Sequence, residues 1–252
     1  MAARLGVAVI VIASAACSAI ADLSATLAPM ADTTLYQSGT GALGNGAGEA
    51  FFAGANSGMA VRRGLIRFDI AAAIPAGATI TAVELVLTNS AANVSPQAVR
   101  LHRVLASWGE GASVAGSGGG GGAAALPGDA TWLHRFAPGV IWTAAGGDFA
   151  TDPSAQTIVA GPGVYSWLGS DLVADAQAFL DTPASNFGWM LLGNEAAANS
   201  AKRFSSREDP VEASRPRLIV TYIPTPGSAW CAIAVALAAH RRRRPPAPAT
   251  TP

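Results

Sequence analysis

The chain has little cysteine, little charge and no excess of charge of either sign. Its 252 residues include two cysteines, and 16 Lys and Arg residues balance 16 Asp and Glu residues. Both cysteines, Cys17 and Cys231, lie near the ends, which disfavours a disulfide framework, a cysteine-ligated zinc and a cysteine nucleophile. Without a basic excess, no nucleic acid partner is expected. A hydrophobic fraction of 50% also argues against a disordered chain.

Motifs of catalysis are also scarce. Neither His102 nor His134 has a neighbour at the spacing that two histidines of a zinc site show. The sequence contains no phosphate-binding P-loop and no Gly-x-Ser-x-Gly nucleophile elbow. We therefore expect a protein that is not an enzyme. A catalytic triad with distant partners and a glycosidase-type carboxylate pair stay open, and the acidic candidates are Glu110, Asp129, Asp148 and Asp171.

The first 21 residues have the features of a secretory signal peptide. Arg4 gives a positive start, residues 5–13 form a short apolar run, and Ala19-Ile20-Ala21 offers a cleavage site. The apolar run is too short to span a bilayer, which needs about 20 residues. The alternative is a buried N-terminal helix, and the residues before Cys17 match a lipoprotein site only loosely. We expect the chain to be exported across the inner membrane.

The other end of the chain combines prolines, an apolar run and a basic cluster. Pro224-Thr225-Pro226-Gly227 precedes an uncharged run at residues 229–239, which as a helix would cross roughly half of a hydrocarbon core. Consecutive arginines follow, as expected for a stop on the cytoplasmic side, namely Arg241, Arg242, Arg243 and Arg244. A disordered basic tail is the alternative.

The order of these C-terminal features resembles the PEP-CTERM family of sorting tails. Pro224-Thr225-Pro226 matches the family's Pro-x-Pro-type motif with Thr225 in the position of a Glu, and residues 245–252 extend beyond the arginines. The resemblance implies recognition by an exosortase-type transpeptidase, with residues 224–252 later removed. Together with the signal peptide it predicts transient membrane association through both ends, and a product that is secreted or attached to the cell surface or outer envelope.

Between these ends, residues 22–223 are predicted to form one all-β domain. Loss of five of the 16 basic residues leaves 11 against 16 acidic residues, so its formal charge is −5. Short segments with a two-residue repeat, such as residues 81–88 and 187–193, are typical of half-buried strands. Several such strands separated by Gly, Pro and Asn favour a β-sandwich.

Three segments depart from the strand pattern. Residues 39–58 and 116–122 are rich in glycine and are predicted to be loops, the second of them flexible. From Ser170 to Leu180 the apolar residues follow helical spacing, which predicts one short crossover helix. Ser170 is the expected N-cap and Pro183 the expected stop, and an irregular loop is the alternative.

Several short sequence blocks lie along the same domain, at residues 64–69, 74–80, 108–111, 128–132, 146–149, 186–189, 203–208 and 215–222. In these blocks and in their order the domain resembles the DNRLRE domain, over roughly residues 32–222. The resemblance implies a jelly-roll β-sandwich of the kind found in exported bacterial proteins, some of which act as carbohydrate-binding modules.

The function predicted from these observations is non-catalytic binding of polysaccharide or extracellular matrix. Sugar rings stack on exposed aromatic rings, and Trp108, Trp132 and Trp142 are the candidates, whereas Trp189 is expected to be buried. The alternative is a structural surface protein that assembles with other proteins. A polysaccharide-degrading enzyme with an unrecognised carboxylate pair is a third reading.

Two further expectations concern charged residues. Asp32 and Asp148 are candidate ligands for a structural Ca²⁺, because calcium prefers carboxylate and carbonyl oxygens, although no spacing selects them. Arg67-Phe68-Asp69 and Arg207-Glu208 place opposite charges in an otherwise apolar sheet. We expect them to form a cross-strand ion network that specifies the fold, with ligand binding as the alternative role.

Overall fold

The computed structural model describes residues 22–90, 95–116 and 118–225. The predicted signal peptide and most of the predicted sorting tail, including Pro226, Gly227 and the four arginines, lie outside the described residues. Pro224 and Thr225 are described and follow the last strand. Within the described ranges, no helix has the length and apolar character needed to cross a membrane.

The described chain is mostly β, as predicted. Its helices are α1 (Ile70–Ala73) and α2 (Ser170–Asp181), with single 3-10 turns at Pro183–Ser185 and Glu212–Ser214. The strands in chain order are β1 (Leu23–Leu27), β2 (Ala31–Tyr36), β3 (Leu43–Gly44), β4 (Ala50–Ala55), β5 (Val61–Arg67), β6 (Thr79–Asn89), β7 (Gln97–Arg103), β8 (Ala123–Ala124), β9 (His134–Phe136), β10 (Val140–Ile141), β11 (Ala155–Val159), β12 (Gly163–Leu168), β13 (Trp189–Leu192), β14 (Lys202–Ser205) and β15 (Arg217–Ile223).

One antiparallel sheet winds through the domain in the order β1-β15-β6-β14-β4-β5-β13-β7-β11. Strand β12 pairs with β6, and β2 pairs with β5. We call β1, β15, β6, β12 and β14 half A, and β2, β5, β13, β7 and β11 half B. Strand β4 connects them, because it pairs with β14 in half A and with β5 in half B. The two halves therefore pack as the layers of a sandwich.

The main core lies between the two halves. Val83, Leu85 and Leu87 of β6 face it from half A, as their alternation predicts. Trp189 and Leu191 of β13 face it from half B, and both are fully buried. Removing such side chains from water contributes roughly 1.5–3 kcal/mol each, so the two-residue repeat determines which face of each strand is covered.

A second core covers the other face of half B. Leu35, Leu65 and Met190 point away from the main core and pack against Trp108 and Trp142. Both tryptophans belong to the long segment between β7 and β11. Half B is therefore buried on two sides, and this segment forms a third layer that the sequence analysis does not predict.

Helix α2 is confirmed, with one correction at its start. Leu172, Ala176 and Phe179 are buried, and the Phe179 ring lies edge-on to Trp189 with ring centroids 5.2 Å apart. Ser170 is the first helical residue, and the N-cap position is Gly169, without a side-chain hydrogen bond. The predicted Ser170 cap is therefore wrong. The helix ends at Asp181, two residues before Pro183, and Thr182 takes the C-cap position.

Of the two glycine-rich segments, residues 116–122 form a loop in their described part, as predicted, whereas residues 39–58 do so only in part. Residues 39–58 contain β3 and all of β4, so only part of this segment is a loop. The second segment has its backbone carbonyls held by side chains. Tyr36 Oη donates to Gly119 O at 2.7 Å, Arg62 Nε donates to Gly120 O at 3.2 Å, and Arg203 Nε donates to Gly118 O at 3.1 Å. These bonds fix the segment against the sheet.

Candidate functional site

The structure buries two of the three tryptophans proposed to stack on sugars. Trp108 and Trp142 are 2% and 3% exposed, and their indole N–H groups donate to Phe187 O and Thr131 O. They offer no open ring face to a ligand. Trp132 is half-buried, and the Arg63 guanidinium lies 5.0 Å from its ring centroid. Trp189 is fully buried, as expected.

A groove of about 1200 Å³ runs over the outer face of half B. Val99 and Leu101 of β7 face the main core, so the alternating residues Arg100 and His102 face the groove. One wall comes from the segment before β11, and the other comes from the loop after β13. Further lining residues are Gln97, Leu105, Thr143, Asp148, Phe149, Leu192, Asn194 and Glu195.

Arg63 ties the two walls of the groove together. Its Nε and Nη2 atoms donate to the two carboxylate oxygens of Glu195 at 2.7 and 2.9 Å, while Nη1 donates to Gly146 O at 2.9 Å. The guanidinium also lies over Trp132 and Phe149, 5.0 and 5.2 Å from their ring centroids. A planar, bidentate cation suits this position because it satisfies both walls simultaneously. The groove is thus shaped before any ligand enters.

His102 presents a hydrogen-bond acceptor to the groove. Its Nδ1 lies 2.9 Å from Ala150 O, and a carbonyl can only accept, so Nδ1 carries the proton. Burial lowers the pKa of His102 below its usual value, and the charges of Arg100 and Arg63 act in the same direction. The imidazole is therefore neutral at neutral pH, and its Nε2 is an acceptor. The ring packs edge-on against Phe149, with centroids 5.4 Å apart.

Arg100 is the exposed cation of the groove. It lies opposite Leu192 of β13 and Gln156 of β11 in the sheet register. Within the described ranges it makes no ion pair, whereas Arg63 and Glu195 neutralise each other. Its donors therefore remain available to a ligand. Only the alternation of Arg100 and His102 with Val99 and Leu101 hints at this in the sequence, and that pattern is common to many strands.

Most of the acidic residues that the sequence offers as catalytic candidates instead hold loops in place, because they accept hydrogen bonds from backbone N–H groups. Asp129 is fully buried, and its oxygens accept from the backbone N–H groups of Ala112 and Leu126 at 2.9 and 2.7 Å. Asp148 accepts from the N–H groups of residues 143 and 144 at 2.9 and 3.0 Å, which shapes one wall of the groove. Asp171 is exposed in the first turn of α2. The structure does not bring these three together with Glu110.

Glu110 instead joins a cluster with Asp32 and Glu208, which we call the acidic cluster. One carboxylate oxygen of each lies within 4.8 Å of one from each of the others. The predicted calcium candidates are thus separated, because Asp32 belongs to this cluster and Asp148 does not. Asp32 enters from β2, Glu110 from the third layer, and Glu208 from the turn after β14. Their distance in sequence explains why no spacing motif reveals them.

Arg207 covers one side of the acidic cluster. Its Nε lies 2.8 Å from Glu110 Oε1 and 2.7 Å from Glu208 Oε1, and its backbone N–H donates to Asp32 Oδ2 at 2.8 Å. The expected ion network of Arg207 and Glu208 is therefore present. Arg67 and Asp69 do not join this network in the described residues, because Asp69 caps α1 through Ala72 N and the Arg67 guanidinium lies 5.4 Å from the Trp108 ring centroid.

The electrostatics of the acidic cluster oppose ionisation. Burial raises the pKa of Asp32 well above its usual value, and the neighbouring Glu208 and Glu110 add to this. Burial also raises the pKa of Glu110 and of Glu208, although Arg207 counteracts both shifts. Asp32 is 1% exposed, and Glu208 Oε2 is buried without a hydrogen-bond partner. Three carboxylates thus share a site that holds too few donors for them.

No family model matches the chain, and no curated protein matches it.

Proposed function

We propose that this protein is a non-catalytic, exported β-sandwich that binds polysaccharide in the groove over half B. The observation that supports this most directly is the groove itself, which is about 1200 Å³ in volume and braced on both sides by Arg63. Binding sites for small and extended ligands are usually concave and largely formed before binding. A groove on the face of a sandwich is open at its ends, which suits a chain longer than the site.

The chemistry of the lining fits sugar hydroxyl groups. Arg100 offers donors and the neutral His102 offers an acceptor at Nε2, whereas the amides of Gln97 and Asn194 are joined by a hydrogen bond of 2.9 Å and add only their remaining N–H and C=O positions. Phe149 adds an apolar aromatic surface between them. A hydroxyl both donates and accepts, so this mixture can satisfy several hydroxyls of one sugar. Aromatic stacking then rests on Phe149 and the half-buried Trp132 rather than on Trp108 and Trp142.

The absence of catalysis in this proposal is supported by the roles of the acidic residues. Asp129 and Asp148 are engaged by backbone N–H groups. In the acidic cluster, Arg207 pairs with Glu110 and Glu208 at 2.8 and 2.7 Å, and Asp32 is buried, so these carboxylates are not presented to a substrate. No route for attack on a glycosidic bond follows from this geometry.

Export and sorting complete the proposal. The jelly-roll type of sandwich and the resemblance to the DNRLRE domain suit a surface-associated protein. Residues 1–21 would direct export, and residues 224–252 would hold the precursor in the membrane until an exosortase-type enzyme cuts it. Pro224 follows β15 directly and cannot extend the ladder, so this segment leaves the sheet where an enzyme can reach it.

The test of polysaccharide binding uses the full-length chain on a panel of pure glycans in affinity electrophoresis. We expect retardation by at least one glycan, reduced at least tenfold in affinity by Arg100→Ala, because this exposed side chain supplies donors to the groove. The matched control is Arg217→Ala, which removes an exposed arginine from the opposite half. Failure of every glycan to retard the wild-type chain, or equal losses in both variants, contradicts the proposal.

A structural protein that assembles with other proteins is the second candidate. It is favoured by the exposed apolar residues Ile158, Val164 and Leu168, which are 55–61% exposed on the neighbouring strands β11 and β12. Apolar residues grouped on exposed strands are typical of contact surfaces. Sedimentation of the purified chain without glycan separates the candidates, because an assembling protein forms oligomers that dissociate when Val164 is replaced by Thr.

A further inference from the structure

Besides its negative charge, the acidic cluster has the oxygen spacing of a cation site. Each oxygen of a calcium ion's shell lies about 2.3–2.6 Å from the ion, so two ligand oxygens are at most about 5 Å apart. The oxygens of Asp32, Glu110 and Glu208 meet this limit, since all lie within 4.8 Å of one another. The three residues come from separate elements, so an ion between them would join β2, the third layer and the turn after β14.

The second observation is a set of carboxylate oxygens that lack donors. Asp32 is 1% exposed, and its Oδ2 accepts a hydrogen bond from Arg207 N at 2.8 Å. Glu208 Oε2 is buried and has no partner. In Glu110, both hydrogen bonds, from Asp32 N and Arg207 Nε, reach Oε1. A buried oxygen without a donor costs about 1–3 kcal/mol, more when charged, unless something binds it.

The neighbouring arginines do not supply the missing hydrogen-bond donors. Arg207 is bonded to one oxygen of Glu110 and one of Glu208, and its side chain is 40% exposed. Arg67 is the other nearby cation, but its Nε is buried without a hydrogen-bond partner and its guanidinium faces the Trp108 ring. Neither arginine donates to Glu208 Oε2, which stays without a partner. A small metal ion can be coordinated by several carboxylate oxygens at once, in a space that a guanidinium does not enter.

We propose that Asp32, Glu110 and Glu208 bind a divalent cation of the calcium type, which links the third layer to the sandwich. Hard carboxylate oxygens select Ca²⁺ over softer metals, and the absence of His and Cys from the cluster argues against zinc. Waters would supply the remaining ligands of the ion. The proposal does not rest on the polysaccharide function, because the acidic cluster shares no residue with the lining of the groove.

The test uses the full-length chain, treated with EDTA and then freed of it, with CaCl₂ as the probe. Ca²⁺ up to about 10 mM exceeds the 10⁻⁴–10⁻³ M range in which extracellular calcium modules bind. We expect the melting temperature to rise by about 4–10 °C at saturation and to return when EDTA is added. Tb³⁺ provides a second probe. Trp108, two residues before Glu110 and stacked on Arg67, should sensitise its luminescence.

Glu208→Gln keeps the size of the side chain and removes one ligand charge. It should lower the affinity for Ca²⁺ at least tenfold and abolish the sensitised Tb³⁺ signal, with an unchanged circular dichroism spectrum. Glu212→Gln is the matched control, because Glu212 is exposed four residues further along the chain and outside the cluster. If Glu208→Gln does not fold, Asp32→Asn replaces it. An unchanged melting temperature in Ca²⁺, or equal Tb³⁺ signals from Glu208→Gln and wild type, would overturn the proposal.

Discussion

At the scale of the residue, Arg63 is the side chain that joins the two walls of the groove. One guanidinium bonds Glu195 on one wall and Gly146 on the other, and lies against Trp132 and Phe149. Its side chain is only 15% exposed, so solvent weakens these contacts little. Removing one partner of such a pair leaves the other charge poorly solvated, which is why the loss exceeds that of a surface ion pair.

Arg63→Ala should therefore lower the free energy of unfolding by about 2–3 kcal/mol, measured by urea denaturation. Arg63→Lys should fall between the variant and wild type, because a lysine keeps the charge and loses the bidentate geometry. Arg217→Ala on half A should change the stability by no more than about 0.5 kcal/mol. The bracing role is wrong if Arg63→Ala and Arg217→Ala are equally stable.

At the scale of the element, the strands of the sandwich could be read from the sequence because their two faces differ. In β6 apolar residues alternate with polar ones over residues 81–85, whereas β13 is apolar throughout and divides its residues between two cores; both strands are present as predicted. Helix α2 could be predicted for the same reason, because its apolar residues recur at helical spacing. Strand β4 was not readable, since Phe51 and Phe52 are both buried on opposite faces and the glycines around them suggested a loop.

The site was less predictable than the strands. Trp108 and Trp142 were taken for ligand-stacking residues because a sequence does not show that the segment between β7 and β11 forms a third layer with its own core. The acidic cluster joins residues 32, 110 and 208, which no local spacing could bring together. Arg100 and His102 lie in a plain strand pattern, and only the loops above them make a groove.

Gly188 shows how an element can depend on one backbone position. It has φ of +75°, and a Cβ placed there would lie 2.1 Å from Ile66 O and 2.8 Å from Arg67 Cα, both backbone atoms of β5. Gly188→Ala should thus displace β13 from β5 and lower the free energy of unfolding by about 2–4 kcal/mol.

The control for this prediction is Gly139→Ala, because a Cβ at Gly139 meets nothing within 4 Å. It should leave the stability within about 0.5 kcal/mol of wild type. Thermal melts followed by circular dichroism compare the two variants directly. Equal melting temperatures for both would show that β13 tolerates a displacement that the backbone contacts forbid.

At the scale of the whole molecule, half B connects two cores. Alternate residues of one strand belong to each, since Leu191 of β13 lies in the main core and Met190 in the second. If either core lost its packing, one face of half B would be exposed, and half B also supports the other core. We expect the described domain to unfold as one cooperative unit, although it has three layers.

Leu191→Ala and Met190→Ala test this cooperativity. Each should cost about 2–5 kcal/mol and shift a single transition that is the same by tryptophan fluorescence and by far-ultraviolet circular dichroism. A third layer that melts independently would give a different result. Met190→Ala would then shift the fluorescence transition and leave the circular dichroism transition of the sheet in place.

The pairing of β1 with β15 also determines how the domain responds to mechanical force. Leu23 lies opposite Tyr222, so the first and last strands of the described chain end side by side. Tension between these ends would break the β1–β15 hydrogen bonds one pair at a time. Strand β1 would therefore separate from β15 at low force. A chain tethered through its C-terminal end alone carries no such load, since drag then pulls on one end of the fold.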